Sequence, residues 1–262
     1  MDLDYVQRVG IGAAYKGAEK LRFYFGNLDR IIKKGDIDLV TQADIASEKE
    51  IVAEIQYRFP DHSILAEESG IIEGLSMYQW IIDPLDGTTN FAHQVGLFAV
   101  SIAFAIDGEP IIGTVLNPLT GELFSAQKGH GATLNGKKID VSETSKVADS
   151  LLVTGFPYDF KVMIRPLMHR FEACLTAARG VRRLGSAALD LCYVACGRFE
   201  GFWEQHLKPW DTAAGLVIAR EAGACVTDFS GGSYTVDNPE ILATNGNIHN
   251  EMIHLLELND IR

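Results

Sequence analysis

The chain lacks most of what marks a secreted, membrane-embedded or nucleic-acid-binding protein. Its four cysteines, Cys174, Cys192, Cys196 and Cys225, are widely scattered among 262 residues. A chain of that length buries a core without disulfide staples, so they read as reduced core thiols. No apolar run approaches the length of a membrane span. The most apolar stretch, Leu97 to Ile106, is interrupted by Ser101 and ends at Asp107-Gly108. Met1-Asp-Leu-Asp-Tyr has neither the basic start nor the apolar segment of a secretion signal. These absences predict a soluble, cytoplasmic protein with no membrane partner. Basic clusters are missing too. The longest basic runs are the pairs Lys33-Lys34, Lys137-Lys138 and Arg182-Arg183. With 23 Lys and Arg against 35 Asp and Glu, and a formal charge of -12, a nucleic-acid groove is not expected.

What is present is a 47% hydrophobic chain with an acidic excess, enough for one large domain or two closely packed halves. An acidic protein still binds phosphate by holding divalent cations between carboxylates. Helical spacing runs from Leu3 to Phe25, and Thr41-Gln-Ala-Asp44 has the capping-box pattern of a second helix that Pro60 ends. Short strands are predicted at Ser63 to Ala66 and Gln79 to Ile82, each stopping at acidic residues. From Leu97 to Ala132 the pattern is an antiparallel meander, with turns at Asp107-Gly108 and Thr120-Gly121. The polar stretch Glu143 to Asp149 reads as a soft boundary between residues 1–146 and 147–262 of a single domain. Beyond it, strands at Leu151 to Gly155, Cys225 to Asp228 and Ile241 to Thr244 alternate with helices at Leu167 to Ala178, Ala187 to Ala195, Asp211 to Ala222 and Ile248 to Leu258. Gly10-Ile-Gly12 has no strand before it, which rejects a dinucleotide fingerprint. The histidines lack zinc spacing, and Cys192 and Cys196 read as core packing.

The most informative segment is Trp80-Ile-Ile-Asp83-Pro-Leu-Asp86-Gly-Thr-Thr-Asn90-Phe-Ala-His93. An apolar strand runs into Asp83, Pro84 forces a turn, and Asp86 stands at the mouth of a Gly-Thr-Thr helix start, so both carboxylates aim at one point. Carboxylates and the Leu85 carbonyl between them are hard oxygen ligands suited to magnesium. The N–H groups of Gly87 and Thr88 offer a cradle for a phosphate oxygen. Turn chemistry alone explains an isolated Asp-Gly-Thr, but not a motif of this length. Glu67 and Glu68 end the run Ile64-Leu65-Ala66, and neighbouring strand residues point to opposite faces, so one of the two can face a shared site. Asp211, in Pro209-Trp210-Asp211-Thr212, reads on its own as a helix N-cap.

Taken together, Ala66-Glu67-Glu68-Ser69, the Asp83 to Phe91 segment and Trp210-Asp211-Thr-Ala-Ala-Gly215 resemble the inositol monophosphatase family. Asp38-Leu-Val-Thr-Gln-Ala-Asp44, Val181-Arg-Arg-Leu-Gly-Ser-Ala-Ala188 and Glu221-Ala-Gly-Ala224 fall in the family's order, and coverage is nearly the whole chain. The resemblance implies an α/β fold, a layered αβαβα sandwich of the sugar phosphatase type. It also implies a magnesium-dependent phosphoric monoester hydrolase, usually a homodimer and commonly inhibited by lithium. Carried over residue by residue, Glu67, Asp83 and the Leu85 carbonyl hold one Mg2+; Asp83, Asp86 and Asp211 hold a second, and a weaker third rests on Glu67. Two such ions about 3.5–4 Å apart clamp a phosphoryl group. Thr88 and Glu67 position and deprotonate the attacking water, and Asp44 orients the Thr88 hydroxyl, in addition to its reading as a capping-box member. Asp86, Gly87 and Thr88 face the substrate. Glu204 and the Ala187 N–H match positions that bind its hydroxyls, and Arg182 or Arg183 is a candidate for a charge contact. Ala66 stands where many members have Gly, and Ala92 where larger aliphatics are usual; neither removes a ligand oxygen.

The implied substrate is a small-molecule phosphate ester, with inositol 1-phosphate first. Fructose 1,6-bisphosphate, NADP and adenosine 3',5'-bisphosphate are the alternatives, because the wider superfamily shares the Asp-Pro-Leu-Asp-Gly-Thr core. A rival of another class is a non-catalytic regulatory protein that keeps the fold, which loss of a ligand residue would favour. No ligand residue is lost.

Overall fold

A computed structural model describes residues 1–27, 31–33, 39–75, 77–157 and 160–258. Asp38 of the first motif and Lys34 of the first basic pair lie outside the described residues. The chain opens with α1 (Leu3–Tyr24), capped by the Asp2 side chain, which accepts the Tyr5 N–H. A short antiparallel pair, β1 (Ile31–Lys33) and β2 (Leu39–Thr41), leads into α2 (Gln42–Arg58). The capping box at the start of α2 is formed: Thr41 accepts from Ala43 N, and Asp44 Oδ2 accepts the Thr41 N–H at 2.8 Å.

Next come β3 (Ser63–Ala66), β4 (Gly70–Ile72), β5 (Tyr78–Asp86), the short helix α3 (Thr88–Ala92), β6 (Ala99–Ile106), β7 (Glu109–Leu116), β8 (Leu123–Gln127), β9 (Ala132–Leu134) and β10 (Lys137–Ile139). These strands form an eight-stranded sheet, β10-β9-β8-β7-β6-β5-β3-β4, antiparallel except between β3 and β5. The predicted meander is its central run β8-β7-β6. A second, five-stranded sheet uses β11 (Leu151–Thr154), β12 (Gly180–Arg182), β13 (Gly201–Gln205), β14 (Cys225–Thr227) and β15 (Glu240–Thr244), in the order β12-β11-β13-β15-β14. Glu143 to Asp149 lies between the two sheets in the chain. The helices of this half are α4 (Ile164–Ala177), α5 (Ala187–Ala195), α6 (Pro209–Glu221) and α7 (His249–Leu256).

The layers follow from which faces are apolar. One core cluster joins α1 and α2 to the large sheet through Ala14, Ile51, Trp80 and Phe104. A second fills the space between the two sheets around α5 and α6, with Leu191, Leu216 and Ile218. A third, with Cys174, Trp203 and Met252, seats α4 and α7 on the outer face of the small sheet. The result is the αβαβα sandwich. Each fully buried Leu, Ile or Phe in these layers contributes about 1.5–3 kcal/mol against exposure. All four cysteines are free thiols, and no helix among the described residues is long and apolar enough to cross a membrane.

Three local readings change. Pro84 does not end its strand: β5 continues to Asp86, and the register slips from Asp83 opposite Ser101 to Asp86 opposite Ala99. The extra residue is a β-bulge, which bends the strand and re-aims its side chains. Asp211 is not the N-cap of α6. That position is Lys208, and Asp211 sits in the first turn with its Oδ2 accepting the Lys208 N–H at 2.7 Å. Finally, no strand was predicted at β13, whose polar residues Glu204 and Gln205 are both buried.

Candidate active site

The bulge in β5 is held from behind by α2. Ser47 Oγ donates to Pro84 O at 2.9 Å, and Glu48 Oε2 accepts the Glu68 N–H at 2.9 Å, which fixes the strand end that carries Glu67. Glu67 N donates to Ile82 O, so the acidic end of β3 lies against β5 just before Asp83. Of the adjacent pair, Glu67 lines the cavity in front of the bulge. Asp83 is buried, and its Oδ1 accepts the Leu85 N–H at 2.9 Å. Its pKa is pushed well above the ordinary carboxylate range, first by burial and then by the charges of Glu67, Asp86 and Asp211. The structure thus brings the four expected carboxylates near one another, from the residue that follows β3, from β5 and from α6.

Asp86 faces the second half of the chain. Ser186 Oγ donates to Asp86 Oδ2 at 2.5 Å and Ala188 N at 2.8 Å, so the carboxylate sits on the N-terminus of α5, where the helix dipole favours negative charge. The Ala187 N–H, expected at a substrate hydroxyl, is directed at Asp86 too. Burial still raises the Asp86 pKa to about 6, against the lowering effect of these donors. Gly87 follows with φ of 99°, a left-handed conformation that only glycine adopts without strain, and it turns the chain into α3.

Behind the bulge lies a buried hydroxyl–carboxylate pair. Thr88 Oγ1 is 3.1 Å from both Asp44 Oδ1 and Leu85 O, with one proton to donate. The carboxylate is the stronger acceptor when ionised. Asp44 therefore caps α2 with one oxygen and meets Thr88 with the other. Its pKa is raised to about 6, chiefly by burial.

A cavity of about 680 Å³ opens over these residues. Glu67, Asp86, Gly87 and Asp211 line its acidic end, whereas Asp83, Leu85 and Thr88 lie beneath the floor. Ala187, Glu204 and Arg183 form a wall, and Phe156, Phe160, Ile164 and Met168 close the far side. Arg183 is the member of its pair that reaches the cavity; Arg182 is exposed and turns back to Val181 O. Glu204 has its pKa pushed up to about 8, by burial first, with Arg183 opposing and Asp211 and Asp86 adding. A carboxyl protonated near neutral pH both donates and accepts, which suits recognition of hydroxyls.

Several contributors were not read from the sequence. Ser186, inside the quoted Gly185-Ser186-Ala187 run, is the N-cap of α5, a signal its residue type and position carried. Asn90 ties the halves together, donating to Leu97 O at 2.7 Å and Leu184 O at 2.8 Å. Asp190 is fully buried in α5, its pKa raised well above the ordinary range by burial and then by Glu204 and Asp86. No local pattern marks it.

Four carboxylates and the Leu85 carbonyl are the groups here that could hold a hard divalent cation, and such a cation would relieve the repulsion acting on Asp83. The set is gathered rather than closed. Among the described residues no three His, Cys, Asp or Glu side chains already stand at ligating spacing, and Asp83, Asp86 and Asp211 each give an oxygen to an N–H donor.

The chain is similar to known proteins over almost its whole length. An inositol-1-monophosphatase of Synechocystis is 44% identical over 97% of this chain and 90% of its own length. The Nus factor SuhB of Vibrio cholerae is 44% identical over 90% of each chain. The solved extragenic suppressor protein suhB of Bartonella henselae superposes with a TM-score of 0.93 at 39% identity, covering 97% of this chain and 99% of its own. The family model described as the inositol monophosphatase family matches residues 2–259, and with that coverage the chain belongs to the inositol monophosphatase family.

Proposed function

We propose that this protein hydrolyses a small polyol or sugar phosphate, inositol 1-phosphate foremost, as a magnesium-dependent phosphoric monoester hydrolase. The observation that carries the reading is the buried Asp83, on which the charges of Glu67, Asp86 and Asp211 converge at the floor of a cavity. Glu67, Asp83, Asp86, Asp211 and the Leu85 carbonyl would hold two or three magnesium ions. Such ions supply positive charge to the phosphoryl oxygens and the departing alkoxide.

The chain's own groups do the rest. Asp44 takes the Thr88 proton in a hydrogen bond, which leaves a Thr88 lone pair to accept from a water and fix its direction. Glu67 lines the cavity and would receive the proton that water gives up. Glu204 and Arg183 meet the hydroxyls of the alcohol from the opposite wall. Lithium inhibition and a homodimer belong to the same proposal.

The test is phosphate release with magnesium from inositol 1-phosphate, fructose 1,6-bisphosphate, NADP and adenosine 3',5'-bisphosphate. Inositol 1-phosphate should show the highest kcat/KM. A higher value for another ester moves the substrate within the family. No release from any of them would favour the regulatory reading, which the Nus factor name of one relative supports.

A further inference from the structure

Gly155 follows β11 directly, and the parallel register that pairs Thr154 with Trp203 places it beside Glu204 of β13. The backbone there does not call for glycine, since Gly155 is not among the glycines with positive φ. The space does. A Cβ on Gly155 would stand 2.0 Å from Glu204 Oε2 and 2.2 Å from its Oε1 and Cδ, far inside van der Waals contact. The Glu204 carboxyl is folded down onto the Gly155 main chain and fills the volume a side chain would take. Both residues line the cavity. Glu204 is 7% exposed, so its carboxyl is seated in the wall rather than reaching into the open space.

We propose that Gly155 sets specificity for the alcohol half of the substrate: by having no side chain, it seats the Glu204 carboxyl in the cavity wall, at the depth where it meets a substrate hydroxyl. The proposal rests on reading Glu204 as the hydroxyl-binding group. Gly155 is a positioning residue and acts only through Glu204. Because the crowded atoms are the end of a flexible side chain next to an open cavity, a methyl group at 155 moves the carboxyl rather than the backbone. It lifts the carboxyl into the volume the alcohol occupies.

A double-mutant cycle tests this, with wild type, Gly155→Ala, Glu204→Ala and the double variant. The readout is selectivity, the kcat/KM for inositol 1-phosphate divided by that for ethyl phosphate, whose alcohol has no further hydroxyl. Gly155→Ala should lower this ratio about tenfold or more, the scale on which a hydroxyl-binding site loses discrimination. In the Glu204→Ala background, where the crowding is gone, the same change should alter the ratio by less than about twofold, as non-additivity through a shared group requires. A wild-type ratio in Gly155→Ala while Glu204→Ala is impaired overturns the role of Gly155 and leaves that of Glu204 standing. An equal drop in both backgrounds overturns it as well. A wild-type ratio in Glu204→Ala removes the hydroxyl-binding reading, and the proposal with it. If Gly155→Ala unfolds, melts of the double variant decide: recovery on truncating Glu204 supports the crowding, and an unfolded double variant shows that the backbone needs the glycine.

Discussion

Replacing Asp211 with Asn separates two roles that one carboxylate combines. Asp211 Oδ2 accepts the Lys208 N–H at 2.7 Å in the first turn of α6, and its charge is among those acting on the buried Asp83. An Asn side-chain oxygen can accept the same hydrogen bond, so the helix start survives and the stability change should stay within about 1 kcal/mol. The lost charge is one of several like charges crowded on Asp83. Its removal should therefore stabilise the metal-free protein slightly, if it changes it at all. Turnover behaves differently. Weakening a group that stabilises the transition state's negative charge, here the cation that Asp211 would hold, typically costs about 2.7–4 kcal/mol, on the order of a hundredfold to a thousandfold in kcat. Asp228 is the control. Its Oδ1 accepts from Ser230 N at 2.9 Å and Gly232 N at 2.7 Å in a surface turn, and it does not line the cavity. Asn preserves both bonds, so Asp228→Asn should stay within about 0.5 kcal/mol in stability and near wild type in rate. The assay is turnover at saturating magnesium, beside melts with and without the ion. The rise in Tm that magnesium gives should shrink in Asp211→Asn and not in Asp228→Asn. Wild-type turnover in a folded Asp211→Asn would refute the reasoning.

Asp44→Asn puts an NH2 where one carboxylate oxygen stood, so it cannot accept from both Thr41 and Thr88; a loss of about 1 kcal/mol in stability and a drop in kcat of at least about tenfold with little change in KM are expected. Both are read from a melt and a kcat-against-KM comparison, and an unchanged kcat would remove Asp44 from the Thr88 relay. A pH dependence is expected at His62, a buried ring whose Nδ1 accepts the Trp80 Nε1–H at 3.1 Å and whose pKa is lowered by burial. A His with a lowered folded pKa gives stability that is complete above the unfolded value, about 6.5, and is lost as pH falls toward the folded one. The Tm difference between wild type and His62→Gln should therefore shrink from pH 8 to pH 5. Taking the difference cancels the opposite contribution of Asp44 and Asp86, whose raised pKa values favour the fold as pH falls. A constant difference would contradict the assignment.

Individual elements were legible because their patterns are local: the capping box at Thr41, the meander turns at Asp107-Gly108 and Thr120-Gly121, and the apolar stripe of α1; their stacking into a layered sandwich was legible only through the family resemblance. The convergence of Asp83 and Asp86 was legible in their motif, with Glu67 as one of two candidates beside them; that Asp211 joins them was legible only through the family resemblance, since its own segment reads as a helix cap. The bulge at Asp83 was misread as a turn because Pro84 ordinarily ends a strand; here the strand runs on through the bulge, and Ser47 Oγ donates to Pro84 O. β13 escaped notice for a different reason. Its polar residues are turned into the cavity or held by buried partners, such as Arg170 Nη1 on Gln205 Oε1 at 2.6 Å, so the alternation that marks a half-exposed strand is absent. Asp190 and Gly155 are legible only in three dimensions, one because its carboxyl is buried beside the site and the other because a neighbouring strand needs its empty volume.

The central claim is that the carboxylate cluster works only as a cation site, and phosphate release from inositol 1-phosphate during a magnesium titration of chelator-treated protein tests it most directly. The account predicts no turnover in excess chelator, recovery as free magnesium rises, and a parallel rise in Tm as the repulsion on Asp83 is relieved, about 2.7 kcal/mol of stabilisation at a hundredfold excess over Kd. Full turnover after exhaustive chelation would contradict it.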